Sequence, residues 1–196
     1  MAGISSAAGR QARRNDSMLI AHLSDFHVFS DTPETRLVRR DATDAARKVV
    51  ADVAGFSPKL DAVMITGDLV DCGTKQDYDL LRSILLPIDA PVFVVPGNHD
   101  HRGRLRAAFA DSLPFREGRY LNYETTCGPI RVIGLDTQIE GRDEGRLEPE
   151  TLDWFEECLA RPVEGHSYVL MHHPPFPSGM EALDKMSLVA GNDRFA

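Results

Sequence analysis

Short apolar runs alternate along the chain with stretches in which apolar positions recur every three or four residues. Runs of the first kind read as buried strands and stretches of the second as amphipathic helices, so the alternation predicts an α/β domain. The strands are expected at Met18–Leu23, Ala62–Thr66, Val92–Val95 and Tyr168–Met171. Tyr120–Thr125 and Ile130–Leu135 flank Cys127-Gly128-Pro129 and predict a hairpin. Between the first two strands, Val38, Ala42, Ala45, Val49 and Val53 mark one face of a helix that ends near Gly55, with Pro58 beyond it. A second helix contains Leu80–Leu86 and a third Leu105–Phe109. Pro149 opens a fourth, which carries Leu152, Trp154, Phe155 and Leu159. Glu140–Glu148 is charged and contains Gly141 and Gly145, which predicts an exposed loop.

The polar residues fall at telling places in this pattern. His, Asp and Asn cluster directly after the C-terminal ends of strands, where open α/β sheets build their sites. Asp25 and His27 follow the first strand. Two residues apart, they would point the same way in extended chain. Gly67 allows a sharp turn that leaves Asp68 at the tip of the second strand. The third strand runs into Gly97-Asn98-His99-Asp100, and the late one into His172-His173-Pro174. Each motif alone also fits a turn with surface polar residues, and Asp71 reads as a support of its loop. His173 fits a ligand or a buried, satisfied histidine equally well. Four such motifs, all at strand ends, point to one metal site built from carboxylate, amide and imidazole.

Composition narrows the classes. A chain of 196 residues suits one domain, since domains commonly run to ~100–200 residues. No apolar run reaches the ~20 residues needed to span a bilayer, so a soluble protein without a membrane partner is expected. The net charge of −8 disfavours nucleic-acid polymers, although bound cations could still attract a small phosphate ester. Cys72, Cys127 and Cys158 are widely spaced and odd in number, which suits reduced thiols in a cytoplasm. Residues 1–17 are small and polar, with Arg10, Arg13 and Arg14 but no apolar centre. They read as a disordered tail before a domain over 18–196, with Met18 a candidate start.

The set Asp25-x-His27, Gly67-Asp68, Gly97-Asn98-His99-Asp100 and His172-His173-Pro174 resembles the calcineurin-like metallophosphoesterase superfamily. The contexts Gly67 to Gly73, Leu135-Asp136-Thr137 and Met171 to Pro177 narrow the resemblance to bacterial class III cyclic-nucleotide phosphodiesterases and their glycerophosphodiesterase relatives. The resemblance implies an αββα sandwich and two divalent ions, drawn from Mn²⁺, Fe²⁺, Zn²⁺ and Co²⁺. It makes Asp25, His27 and Asp68 ligands of the first ion, and Asp68, Asn98 and His172 ligands of the second. His99 would contact the phosphate or assist the leaving group, with Asp100 orienting it. Asp136 would be structural. The implied reaction is hydrolysis of a small phosphodiester, cyclic nucleotide or glycerophosphodiester, by a hydroxide held between the ions.

The resemblance also implies a Gly-His-x-His motif downstream, and residues 174–196 contain none. The later strands of the second sheet are therefore expected to be missing and the domain C-terminally incomplete. A bare sheet face would favour homo-oligomers. Two competing readings remain. One is a nuclease or phosphoprotein phosphatase of the same superfamily. The other is an inactive fragment that serves as a weak metal-binding or interaction module.

Overall fold

A computed structural model describes residues 17–32 and 38–195. The tail expected over residues 1–17 lies outside the described residues except for Ser17. Three parallel strands, β1 (Ile20–Leu23), β2 (Ala62–Thr66) and β3 (Val92–Val95), form one sheet in the order β1-β2-β3. Helices α1 (Ala42–Ala54), α2 (Lys75–Leu85) and α3 (Arg102–Phe109) follow them in turn. The hairpin β4 (Tyr123–Cys127) and β5 (Ile130–Gly134) is antiparallel. The strand β7 (Ser167–Leu170) joins β5 in parallel to complete a second sheet. Between them lie a two-residue strand β6 (Gly145–Arg146) and α4 (Pro149–Ala160), which Pro149 opens as expected. After β7 come α5 (Glu181–Asp184), β8 (Leu188–Ala190) and α6 (Asn192–Phe195).

Two cores share the second sheet. Ile130 and Val132 of β5 pack with Val63, Ile65, Val94 and the buried faces of the first three helices. Ile133 and Leu135 face the other way, against Leu152, Phe155 and Cys158 of α4. Alternation along one strand thus glues the sheets together on one side and carries a helix on the other. This is the layered α/β arrangement expected from the sequence. Every residue of β2 is buried, as a central parallel strand requires. Among the described residues, no helix is long and apolar enough to cross a membrane.

Two local expectations are corrected. In α1 the buried side chains are Ala46 and Val50, while Val49 is 37% exposed and Val38 lies before the helix. The buried face is therefore centred on Ala46 and Val50, one residue on from the expected Ala45 and Val49, with Val53 still packed against the core. The stretch Glu140–Glu148 is also not simply an exposed loop. β6 within it pairs with β8, and Leu147 is buried in the second core.

Helix α2 ties the fold to the strand ends. Thr74 caps it and accepts from the Asp77 N–H, while Asp77 Oδ2 accepts from the Thr74 N–H at 3.0 Å. The other carboxylate oxygen accepts from both the N–H and the hydroxyl of Ser30, at 2.8 and 2.7 Å, in the loop after β1. Burial opposes ionisation of Asp77, but the bonds from Thr74 and Ser30 outweigh it and hold its carboxyl below the ordinary range. Replacing Asp77 with Ala is expected to lower stability by about 1–3 kcal/mol, as read by thermal unfolding. A carboxyl with a depressed folded pKa stabilises above its unfolded pKa. The difference between wild type and Asp77→Ala should therefore be full at neutral pH and shrink as pH falls below the ordinary carboxylate value.

Candidate metal centre

The ladder between the first two strands continues past their ends. The N–H groups of Asp25 and His27 donate to the carbonyls of Gly67 and Asp68, at 3.1 and 2.9 Å, and that of Asp71 donates to Val28. The two loops run side by side, yet they are not extended. Asp25, His27 and Asp68 have φ of 58°, 45° and 48°, and they are the non-glycine residues with positive φ among those described. The expectation that a pleat aligns Asp25 with His27 is thus corrected. Each has a left-handed backbone, a conformation that costs a non-glycine residue about 1–3 kcal/mol; the side chains of His27 and Asp68 are covered, while that of Asp25 stays exposed. Such concentrated strain is a mark of functional loops.

Asp68, 4% exposed, sits at the centre. Its Oδ2 lies 3.4 Å from Nε2 of His27, and its Oδ1 lies 3.6 Å from Nε2 of His172. Asp25 Oδ1 is 3.9 Å from the same His27 nitrogen. Asn98 Oδ1 is 3.1 Å from the same His172 nitrogen. One carboxylate therefore faces two groups of donors, one with Asp25 and His27 and one with Asn98 and His172. Asp25, Asp68 and His172 also come together as three potential ligands, as do His27, Asp68 and His99.

The tautomers favour a cation. His172 Nδ1 is 2.8 Å from the Thr66 carbonyl, which can only accept, so Nδ1 carries a proton and, in the neutral ring, Nε2 offers a lone pair. That lone pair points toward oxygens of Asp68 and Asn98. Converging acceptors of mixed nitrogen and oxygen character are what a divalent ion such as Mn²⁺, Fe²⁺, Zn²⁺ or Co²⁺ binds.

The rest of the cluster is arranged by partners that the sequence did not disclose. Asp71, fully buried, has Oδ1 at 3.4 Å from Nδ1 of His27 and 3.2 Å from Nδ1 of His99. His99 Nδ1 also lies 3.0 Å from the Asp71 carbonyl, which leaves its Nε2 for the cluster. The two rings meet edge to face at 4.7 Å. Asp71, expected only to support its loop, thus aligns two imidazoles. Its spacing of three from Asp68 is the one signal that could have pointed to it.

Asp100, expected to orient His99, is engaged with the loops on either side of it. Its buried carboxylate accepts from the N–H groups of Gly97 and Leu69 and from the Tyr78 hydroxyl. It buckles the loops after β2 and β3 together, and burial raises its carboxyl to about 6. His173 is not turned to the cluster. It is 1% exposed, 2.7 Å from the Thr137 hydroxyl, and burial with the neighbouring His172 lowers its pKa to about 4.

Glycines make room for the centre. A Cβ on Gly67 would lie 2.6 Å from His172 Nδ1 and 2.8 Å from the Gly97 nitrogen, and one on Gly97 would lie 2.2 Å from Asp68 Oδ1. Gly67 also has φ of 89°. Gly67→Ala should therefore lower the melting temperature and push the His172 ring from its place. The expected sign is a smaller rise in melting temperature on adding Mn²⁺ than the wild type shows.

The family model for calcineurin-like phosphoesterases matches residues 18–194. An Arcobacter nitrofigilis protein, named probable glycerophosphodiester phosphodiesterase GpdQ, is 33% identical over 179 residues, which cover 91% of this chain and 65% of that protein. The 3',5'-cyclic adenosine monophosphate phosphodiesterase CpdA of Pseudomonas aeruginosa is 32% identical over 172 residues, 88% of this chain and 61% of its own. The chain thus spans about two-thirds or less of the length of these curated relatives. Among solved structures, the purple acid phosphatase PPD1 of yellow lupin aligns at a TM-score of 0.56 with 17% identity, covering 84% of this chain and 32% of that one. TT1561 of Thermus thermophilus aligns at 0.55 with 20% identity, covering 83% and 71%. At these identities the structures speak to the fold alone.

Proposed function

Because the chain belongs to the calcineurin-like phosphoesterase family, we propose that its strand-end cluster hydrolyses small phosphodiesters with two divalent cations. The observation that carries this reading is the Asp68 carboxylate, whose two oxygens face His27 on one side and His172 on the other. Asp25, His27 and Asp68 would hold one ion, and Asp68, Asn98 and His172 the other. When bound, such a pair lowers the pKa of water and neutralises charge on the phosphate.

The chain's own residues supply the rest. Asp68, Asn98 and the two ligand imidazoles fix where the phosphate oxygens can lie. Asp71 holds the rings of His27 and His99 in register. As water adds to phosphorus it sheds a proton to solvent, the bond to the leaving oxygen breaks, and His99, when protonated on both ring nitrogens, gives the Nε2 proton to that oxygen and recovers one from solvent. An open cleft of about 360 Å³ beside His99, lined also by Cys72, His101, Arg102, Arg119 and Gln138, would admit the substituent of the ester. Glycerophosphodiesters and cyclic nucleotides are the substrate classes proposed, as the names of relatives suggest.

Hydrolysis of bis(p-nitrophenyl) phosphate with added Mn²⁺ tests the reading. Asp68→Ala is expected to lose more than the roughly 10–100-fold that outer-shell changes typically cost. Folded wild-type protein that leaves the diester intact would count decisively against catalysis.

A further inference from the structure

The loop that carries Asn98, His99 and Asp100 is gripped from the second sheet by a side chain that no ligand motif contains. Gln138 follows β5 and is 8% exposed. Its single amide nitrogen donates to the carbonyl of Asn98 at 3.2 Å and to that of Asp100 at 2.5 Å. A carboxamide has two N–H groups, and both are committed to the carbonyls on either side of His99. The His99 N–H in turn donates to Asp68 Oδ1 at 3.0 Å. The peptide of His99 is therefore bolted from both flanks and across its centre.

Gln138 is itself held rigidly. Its N–H donates to Asp136 Oδ1 at 3.0 Å, and its carbonyl accepts from Arg102 Nη2 at 2.5 Å. Arg102, the first residue of α3, makes a two-pronged pair with the buried carboxylate of Asp136 at 2.6 and 2.9 Å. Asp136 also accepts from the Leu121 N–H. Arg102 starts the helix only three residues after His99. The segment Asn98–Arg102 is thus fastened to Asp136–Gln138 at both ends. A merely structural tie between sheets would need only the Arg102–Asp136 pair, whereas Gln138 reaches past it to the two carbonyls that set the direction of the His99 ring.

We propose that Gln138 is a positioning residue that aims the His99 imidazole at the leaving oxygen, an inference that rests on the phosphodiesterase reading of the centre. Of the proposed ion ligands, Asn98 meets this amide through its backbone carbonyl and not through the Oδ1 that faces His172, so loss of the amide should touch His99 before it touches ion binding. Outer-shell partners of this kind typically matter at the level of ~10–100-fold.

The test is Gln138→Glu, which keeps the shape but removes both donors, with Gln138→Leu as a second variant in case the carboxylate prevents folding. Rates would be measured on aryl methyl phosphates whose leaving phenols range from strongly to weakly acidic. Melting temperature and bound Mn²⁺ would be followed in parallel. The expected result is a fall in kcat of ~10–100-fold for the poorest leaving group and little for the best, with KM and Mn²⁺ content near wild type. Equal losses across the series, or losses that follow Mn²⁺ content, would overturn the positioning role. Wild-type protein without activity on any diester would instead sink the phosphodiesterase reading beneath it.

Discussion

The centre depends on one buried carboxylate, that of Asp68, placed where imidazole nitrogens of His27 and His172 face its two oxygens. Burying an ionised carboxylate is costly unless partners repay the lost solvation. Much of the surrounding architecture serves that need. The His99 N–H donates to it. Gly67 and Gly97 leave space that no side chain could share with it. Asp100 holds the loops after β2 and β3 together. The cations that the centre is suited to hold would supply the remaining compensation.

Both sheets are needed to complete this environment. The first contributes Asp25, His27, Asp68 and Asn98 from the ends of three parallel strands. The second contributes His172 from the end of β7. The hydrogen bond from His172 Nδ1 to the Thr66 carbonyl links the sheets at the centre. Gln138, Arg102 and Asp136 link them again one layer further out. Relative movement of the sheets would therefore be felt directly in the distances between the proposed ligands.

The strands and the order of the helices were legible because each run is apolar throughout or strictly periodic. Ala62–Thr66 and Val92–Val95 match residue for residue. The strand ends were legible as places where such runs meet Asp, Asn and His. What could not be read was direction. The positive φ of Asp25 and His27 reverses the assumption of a pleat, since Asp and His carry no glycine-like mark of that backbone. Asp71 lies against two imidazoles where only a loop support was expected, because which carboxylate reaches an imidazole depends on the crossing of two loops and not on adjacency. Gln138 lies 39 residues from His99 (138 − 99), beyond any local pattern. The short pairing of β6 with β8 was hidden for the same reason: its partner is remote and its own stretch is charged.

The double grip of Asp77 joins two processes usually treated as separate. The carboxylate that satisfies the open N–H groups at the start of α2 also fastens Ser30, three residues beyond His27. Fraying of the first helical turn would release that loop, and any ion that secures His27 would restrain the fraying in return. Helix initiation and the placement of the proposed ligand His27 are thus coupled through one carboxylate.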